Sequence, residues 1–119
     1  AYAKVQNLHG EFVEPTSTSI SAAASGDIPA DTRCSITHSD AQGAYPISTF
    51  TWMIVYKEQN YSDRSKEQAI ATLDLLKYIL SDEAQGITSE VHYAPLPEKA
   101  REQSMKNLHT VTYDGMTIL

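Results

Sequence analysis

One segment of the chain, from Ser65 to Ser81, repeats its apolar residues with the period of an α-helix. The members of this stripe are spaced i, i+4, i+7 and i+11: Ala69, Leu73, Leu76 and Leu80. Ser65 also stands three residues before Gln68, which is the spacing of a capping box. The pattern predicts an amphipathic helix that runs on, or breaks and resumes, before Gly86.

The run from Tyr45 to Lys57 is the strongest strand signal, because it is rich in aromatic and β-branched residues. Its second half, Trp52 to Tyr56, is apolar without alternation. This is typical of a strand that is covered on both faces, as in an α/β sheet. We therefore expect Trp52 and Tyr56 to be core residues, with Pro46 at the start or edge of the strand.

Two elements are predicted before this strand. Residues 2–14 read as a hairpin with its turn at His9-Gly10, although residues 1–8 are also compatible with the tail of a helix. Residues 16–26 favour a short helix that Thr16 or Ser17 caps and that Gly26 ends in left-handed geometry. A flexible Ser/Thr-rich linker is the alternative for this second stretch.

Three more elements complete the pattern. Residues 34–39 alternate as in a short strand, and residues 97–108 predict a helix with Pro97 in its first turn. Residues 113–116 read as a tight turn between two extended pieces. The mixture of helices and strands indicates an α/β or α+β architecture.

Composition narrows the class of protein. The chain has 119 residues, about one domain, and its 15 acidic and 9 basic side chains give a net charge of −6. This balance argues against nucleic acid as a partner and against a polybasic membrane patch. No stretch is long and apolar enough for a membrane span. The N-terminal residues lack a signal-peptide pattern, and we expect a processed or truncated beginning.

Candidate catalytic and metal-binding residues are few. Cys34 and His38 would share one face of a strand, but the remaining histidines have no metal-ligand spacing to them: His9, His92 and His109. A single cysteine also excludes an internal disulfide, and a small buried thiol is its common role. The chain has no G-x-S-x-G elbow. We predict no metal, no cofactor and no enzymatic activity; a small enzyme with Cys34 or a serine as nucleophile is the alternative.

Three short motifs have ordinary structural explanations. Ser25-Gly26-Asp27 resembles an oxyanion loop but falls at the predicted end of a helix, where carbonyl groups repel anions. Ala94-Pro95-Leu96-Pro97 is expected to be a loop that leads into a helix rather than a polyproline ligand. The triplet Asn60-Tyr61-Ser62 matches a glycosylation sequon, which occurs often by chance.

The order of motifs in the second half of the chain is more specific. Residues 44–57 contain a Tyr-Pro-Ile strand; an amphipathic helix follows, then Gln85-Gly86, then His92-Tyr93-Ala94-Pro95-Leu96-Pro97. This order resembles the C-terminal part of the phosphate-binding proteins of bacterial phosphate ABC transporters, the PstS family. Residues 2–16, which continue into an alanine-rich helix, also look like that family just before the same strand.

The resemblance implies a fold and a division into lobes. The chain would be a C-terminal fragment of a type II periplasmic-binding-protein fold, an α/β fold with a mixed sheet covered by helices. Residues 1–40 would end the second lobe with a hairpin, a short helix and a strand. Residues 41–46 would be the inter-lobe crossover, and residues 47–119 would form the C-terminal part of the first lobe.

The resemblance also implies a function. The parent protein would capture inorganic phosphate outside the cytoplasm, in the periplasm or anchored to the membrane, and deliver it to the permease of an ABC transporter. The family's phosphate contacts lie in segments that would precede Ala1, and its Arg beside a Ser-Gly-Thr run has no counterpart at Arg33, Arg64 or Arg101. We therefore expect no ligand-binding residue here. The alternatives are a standalone interaction module, a binder of another oxyanion, and a fragment able to self-associate.

Overall fold

The computed structural model describes residues 2–119, and Ala1 lies outside the described residues. Four helices span these ranges: α1 Ser17–Ala23, α2 Lys66–Ile79, α3 Asp82–Ile87 and α4 Glu98–Leu108. A 3-10 helix, Thr88–Val91, follows α3 directly. Four short strands are present: β1 Val5–Gln6, β2 Phe12–Val13, β3 Thr112–Tyr113 and β4 Met116–Thr117. The predicted mixture of helices and strands is confirmed, in a molecule about 52 Å long.

Both predicted hairpins are present as two-stranded antiparallel sheets. In the first, Val5 of β1 lies opposite Val13 of β2, and the turn between them contains Gly10 with a φ of 76°. In the second, the turn between β3 and β4 places Asp114 and Gly115 at φ values of 51° and 73°. Two consecutive positive φ angles are typical of the tight hairpin turns that Asp-Gly favours.

The two long helices form where the sequence predicts them, α2 from its apolar stripe and α4 from Pro97. Ser65 caps α2 and accepts a hydrogen bond from the backbone N–H of Gln68, while the Gln68 side chain accepts from the Ser65 N–H. Helix α2 ends at Ile79, and the separate helix α3 begins after Ser81. The hydroxyl of Ser81 accepts a hydrogen bond from the Ala84 N–H and so caps α3. Gly86 lies inside α3 rather than after it. Helix α4 begins directly after Pro97.

Helix α1 confirms the prediction of a short helix but not its end. Thr16 is the N-cap, and its hydroxyl accepts a hydrogen bond from the Ser19 N–H. The helix ends at Ala23, and Ala24 is the C-cap. Gly26 does not have the positive φ of a left-handed C-terminal cap, so that part of the prediction was wrong. The hydroxyl and the backbone N–H of Ser25 both donate to the Ala22 carbonyl at the helix end.

The strand predicted over residues 34–39 was wrong. The side chains of Asp31 and Ser35 accept hydrogen bonds from the backbone N–H groups of Arg33 and Thr37, which a strand would have used in a ladder. His38 has a φ of 55°, which ends any extended run. Local side-chain bonding therefore replaced strand pairing in this stretch.

The strand predicted over residues 45–57 is also not formed. A strand requires a hydrogen-bonded neighbour along its length, and within the described residues only the ends of this stretch make backbone hydrogen bonds to other segments, at Tyr45, Pro46 and Lys57. Only the following residue, Glu58, makes a bridge, to Thr112. The prediction of Trp52 and Tyr56 as core residues was wrong for the same reason: they are 46% and 69% exposed.

The buried apolar residues form two separate clusters. The first lies in the first half of the chain: Ala23, Ala24, Ile36 and Ala44. The second joins α2 to α4 and the segment after it: Leu73, Leu76, Leu108 and Val111. Phe50 packs on the first cluster and Val55 on the second, so the chain passes from one cluster to the other between these residues. The division into residues 1–40, 41–46 and 47–119 stays a prediction.

Candidate functional site

A largely apolar groove of about 330 Å³ lies beside the second cluster. Helices α2 and α4 supply one wall, and the segment before Glu58 supplies another. The lining from the helices and the end of α4 is mainly aliphatic: Leu76, Ile79, Leu80, Ala100, Leu108 and Val111. The amphipathic pattern of α2 explains this wall, because residues on its apolar stripe face α4.

Residues 51–55, which we call the unpaired segment, run along this groove. Thr51, Met53 and Val55 all line it, and their spacing of two matches the alternation of side chains along an extended chain. Trp52 also contributes to the lining, and its indole N–H donates to the Thr32 carbonyl at 3.1 Å. Ile54 lines no part of the groove and is 95% exposed. Val55 is half-buried against the second cluster, whereas residues 51–54 are exposed.

The backbone of the unpaired segment makes no hydrogen bond with any residue between Tyr2 and Leu119. Five consecutive N–H groups and five consecutive carbonyl groups are therefore free. The residues that follow the segment are held: the Tyr56 carbonyl accepts from the side chain of Gln59, and the Lys57 carbonyl accepts from the Thr112 N–H. The segment is thus fixed at its C-terminal end and makes no backbone hydrogen bond along its length.

A buried glutamine connects two of the motifs identified in the sequence. The Gln85 side chain donates to the Ile79 carbonyl at 2.8 Å and accepts from the Leu96 N–H at 2.7 Å. It therefore joins the C-terminal end of α2 to the loop that leads into α4. Residues 94–97 form that loop, as expected, and the carbonyl of Pro95 also accepts from the hydroxyl of Ser21.

Glu58 holds the second hairpin against the end of the 47–57 stretch. Its carboxylate accepts hydrogen bonds from the backbone N–H groups of Asn60, Asp114 and Gly115 and from the hydroxyl of Thr112, at 2.8–3.0 Å. The bond from the Asn60 N–H contributes most, followed by that from Gly115, and together these bonds lower the pKa of Glu58 to about 2. Since hydrogen bonds to the charged form favour it, the carboxylate stays ionised.

The three arginines lie in separate places, and each is bound locally. Arg33 lies 3.8 Å from the carboxylate of Asp31. Arg64 donates to the hydroxyl of Tyr61 and lies over its ring, and Arg101 pairs with Asp82 at 2.5 Å. They do not converge on one point as an oxyanion site requires.

The cysteine and the histidines form no reactive group. Cys34 and His38 line a shallow depression of about 300 Å³, but no hydrogen bond joins them. His9 bonds the Asp40 carbonyl, while His92 and His109 are C-caps of helical turns. Within residues 2–119, no three His, Cys, Asp or Glu side chains come together as metal ligands. The described helices are also too short or too polar to cross a bilayer.

Two further motifs occupy ordinary positions. Residues 25–27 follow the C-terminal end of α1, as the sequence indicated, so carbonyl groups rather than N–H groups face them. Asn60 of the sequon is exposed, and its side-chain amide donates to the carboxylate of Asp114.

Comparison with known proteins identifies three curated relatives, each named phosphate-binding protein PstS. One from Xylella fastidiosa is 31% identical over 106 residues, which cover 87% of this chain and 28% of the relative. One from Methanocaldococcus jannaschii is 31% identical over 105 residues, covering 81% of this chain and 27% of the relative. The chain resembles the PstS phosphate-binding proteins over most of its length. This confirms the resemblance that the motif order indicated.

The chain spans little more than a quarter of the length of the PstS relatives it matches. No protein-family model matches it, and no solved structure gives a significant match. The PstS relatives are binding proteins by name, which agrees with the prediction of a non-enzymatic protein.

The structure reveals two contacts that the sequence did not predict: that of Gln85 with Leu96 and that of Glu58 with the second hairpin. The resemblance had singled out Gln85 and residues 94–97 as motifs, but nothing in the sequence indicated that they touch. Glu58 lies more than fifty residues from Asp114 along the chain. No pattern of neighbouring residues in the sequence predicts a contact between residues that lie so far apart along the chain.

Proposed function

We propose that this chain is the scaffold part of an extracytoplasmic protein that captures inorganic phosphate and delivers it to an ABC transporter. The observation that carries the proposal is the similarity to PstS proteins over 87% of the chain. The order of the strand-type, helix and loop motifs in the sequence agrees with it. The parent would work in the periplasm or on the outer side of the cytoplasmic membrane, with the transporter's permease as partner.

The contacts of the described residues support a scaffold role. A dehydrated oxyanion site requires several donors that converge in one cavity. Here Arg33 and Arg101 pair locally with carboxylates, and the groove beside α2 and α4 is lined mainly by apolar side chains. We therefore propose that the phosphate contacts belong to residues outside this chain.

We further propose the lobe assignment that the resemblance implies. Residues 1–40 would end the second lobe of a type II periplasmic-binding-protein fold, residues 41–46 would cross between the lobes, and residues 47–119 would complete the first lobe. The two separate apolar clusters support a division into two bodies, but the chain passes between them after Phe50, later than residues 41–46. The short, separate hairpins would join a mixed sheet in the complete fold.

A chimera tests the function. The matched 106 residues of the Xylella fastidiosa relative are replaced by their counterparts from this chain, and phosphate is titrated into the purified chimera in a calorimeter. We expect saturable heat with phosphate at micromolar concentrations and none with sulfate. A folded chimera that binds sulfate but not phosphate would support another oxyanion, and a folded chimera that binds neither would contradict the proposal.

A further inference from the structure

We propose that Asn60 is a site of N-linked glycosylation, to which a transferase attaches an oligosaccharide on the outer side of the cytoplasmic membrane. Residues 60–62, Asn-Tyr-Ser, form a complete acceptor triplet without proline in the middle. The inference goes beyond phosphate binding, but it rests on the proposed function for its compartment, because N-linked acceptors belong to surface loops of exported proteins.

Exposure distinguishes Asn60 from the other asparagines. The chain has three asparagines, and Asn7 is buried while Asn107 is half-buried. Asn60 is exposed, and it is also the asparagine with a hydroxyl residue two positions later, where the other two have histidines. Acceptor triplets are common by chance. Here the triplet coincides with the one asparagine of residues 2–119 whose side chain is exposed.

The triplet lies in a tight surface turn just before α2. The backbone N–H of Arg64 donates to the Tyr61 carbonyl at 3.0 Å, and the two residues between them, Ser62 and Asp63, have φ values of 50° and 56°. Two consecutive positive φ angles are typical of a tight turn. Ser62 is exposed at the tip of this turn. Exposed turns of this kind are the parts of a protein that a modifying enzyme reaches.

Tyr61, the middle residue of the triplet, anchors this turn to the protein. Its ring contacts that of Tyr56 edge to face, with 4.8 Å between the ring centres, and the guanidinium of Arg64 lies 5.6 Å from its centre. Tyr61 is half-buried, whereas Asn60 and Ser62 on either side are exposed. The residue whose identity the acceptor triplet leaves open therefore holds the loop, and the two residues that the triplet requires face solvent.

The one contact of the Asn60 amide is compatible with the modification. One hydrogen of this amide donates to the carboxylate of Asp114, which is also exposed. The side-chain nitrogen carries two hydrogens, and the N-linked product keeps one of them. The bond to Asp114 can therefore form in the modified protein as well.

The transfer itself is a substitution at a sugar carbon, with a lipid-linked oligosaccharide as the co-reactant. The Nδ2 atom of Asn60 forms a bond to C1 of the first sugar, and the bond from C1 to the lipid's phosphate oxygen breaks. The lipid phosphate leaves with the electron pair, and a base of the transferase takes the amide proton. No oxidation or reduction is involved.

Mass spectrometry of the full-length protein, purified from the cells that naturally make it, tests the inference. Trypsin cleaves after Lys57 and Arg64 and releases residues 58–64 as one peptide. We expect this peptide to be mainly a glycopeptide that yields sugar fragment ions, while the peptides that contain Asn7 and Asn107 are unmodified. An unmodified 58–64 peptide in protein recovered from outside the cytoplasm would overturn the inference.

Two substitutions, expressed in the same cells, separate transfer at the triplet from any other modification. Ser62→Ala removes the required hydroxyl but keeps the acceptor amide, and we expect loss of the glycan. Ser62→Thr keeps a hydroxyl and is the matched control, in which we expect the glycan to remain. Circular dichroism checks that both variants fold. A glycan that persists on Ser62→Ala would overturn the inference.

The results also separate this inference from the proposed function. A glycosylated Asn60, together with a folded chimera that binds no phosphate, would support the inference and overturn only the proposed function. An unmodified extracytoplasmic protein, together with a chimera that binds phosphate, would overturn the inference alone. Unmodified protein recovered from the cytoplasm would overturn the inference and the proposed location together.

Discussion

The side-chain oxygen of Gln85 accepts a hydrogen bond from the backbone N–H of Leu96, at 2.7 Å. The same side chain donates to the carbonyl of Ile79 and is almost fully buried. The Gln85 side chain therefore supplies hydrogen-bond partners to two backbone groups, the Ile79 carbonyl at the end of α2 and the Leu96 N–H in the loop to α4. The end of α2, Gln85 in α3 and the loop before α4 are thereby joined into one structural unit.

Replacing this glutamine removes both bonds while keeping the side-chain volume. We expect Gln85→Met to lower the free energy of unfolding by about 1–3 kcal/mol, because the backbone groups of Ile79 and Leu96 lose their partner. Urea unfolding followed by circular dichroism measures the loss. Gln42→Met, at an exposed site, is the control and should change little. Equal stability of the two variants would refute the proposed role of Gln85.

The capping box of α2 gives a second prediction. Ser65→Ala removes the hydroxyl that accepts the Gln68 N–H, and we expect a loss of about 1 kcal/mol. Ser89→Ala, in the exposed 3-10 helix, is a matched control because its hydroxyl makes no hydrogen bond within residues 2–119. If both serine variants unfold at the same urea concentration as the unchanged chain, the cap contributes nothing measurable.

The second apolar cluster predicts a contrast between two leucines on one helix. Leu73 is fully buried, whereas Leu75 is 56% exposed. We expect Leu73→Ala to cost about 2–5 kcal/mol and Leu75→Ala less than about 0.5 kcal/mol, because only the first leaves a cavity. Thermal unfolding of both variants tests this. A larger loss for Leu75→Ala would mean that α2 packs through its other face.

Glu58 predicts a dependence of stability on pH. Its pKa is lowered to about 2, so its hydrogen bonds stabilise the fold fully above its ordinary value of 4.5. This stabilisation declines as the pH falls from 4.5 and is lost below about 2. We expect the difference in unfolding free energy between the unchanged chain and Glu58→Gln to shrink over that range.

Urea unfolding at several pH values between 7 and 2 measures this difference. Glu11 and Glu67, whose pKa values are also lowered, are present in both proteins, so the comparison isolates Glu58. Glu102→Gln, at an exposed site on α4, is the control and should follow the unchanged chain throughout. A difference that stays constant down to pH 2 would contradict the role of Glu58.

Local patterns were sufficient to predict the helices and the hairpin turns. Helix α2 depends on residues that are close in sequence: the cap at Ser65 and the apolar stripe of Ala69, Leu73 and Leu76. Both features are present in the structure. Asp114-Gly115 likewise formed the turn that its residue types favour. These features depend little on distant parts of the chain.

The strand over residues 45–57 failed because strand formation is not local. Its residue types indicate a buried strand, yet the hydrogen-bond partner and the covering helices must come from elsewhere. Met53 and Ile54 are exposed in consequence. Contacts such as that of Glu58 with Gly115 depend on the tertiary fold and were beyond any pattern in the sequence.

The central claim is that this chain supports a phosphate-binding protein without contacting the phosphate itself. Equilibrium dialysis with labelled phosphate, on the 119-residue chain and on the Xylella fastidiosa chimera side by side, tests it most directly. The account predicts saturable binding to the chimera and none to the chain alone. Tight binding to the chain alone, or no binding to a folded chimera, would contradict it.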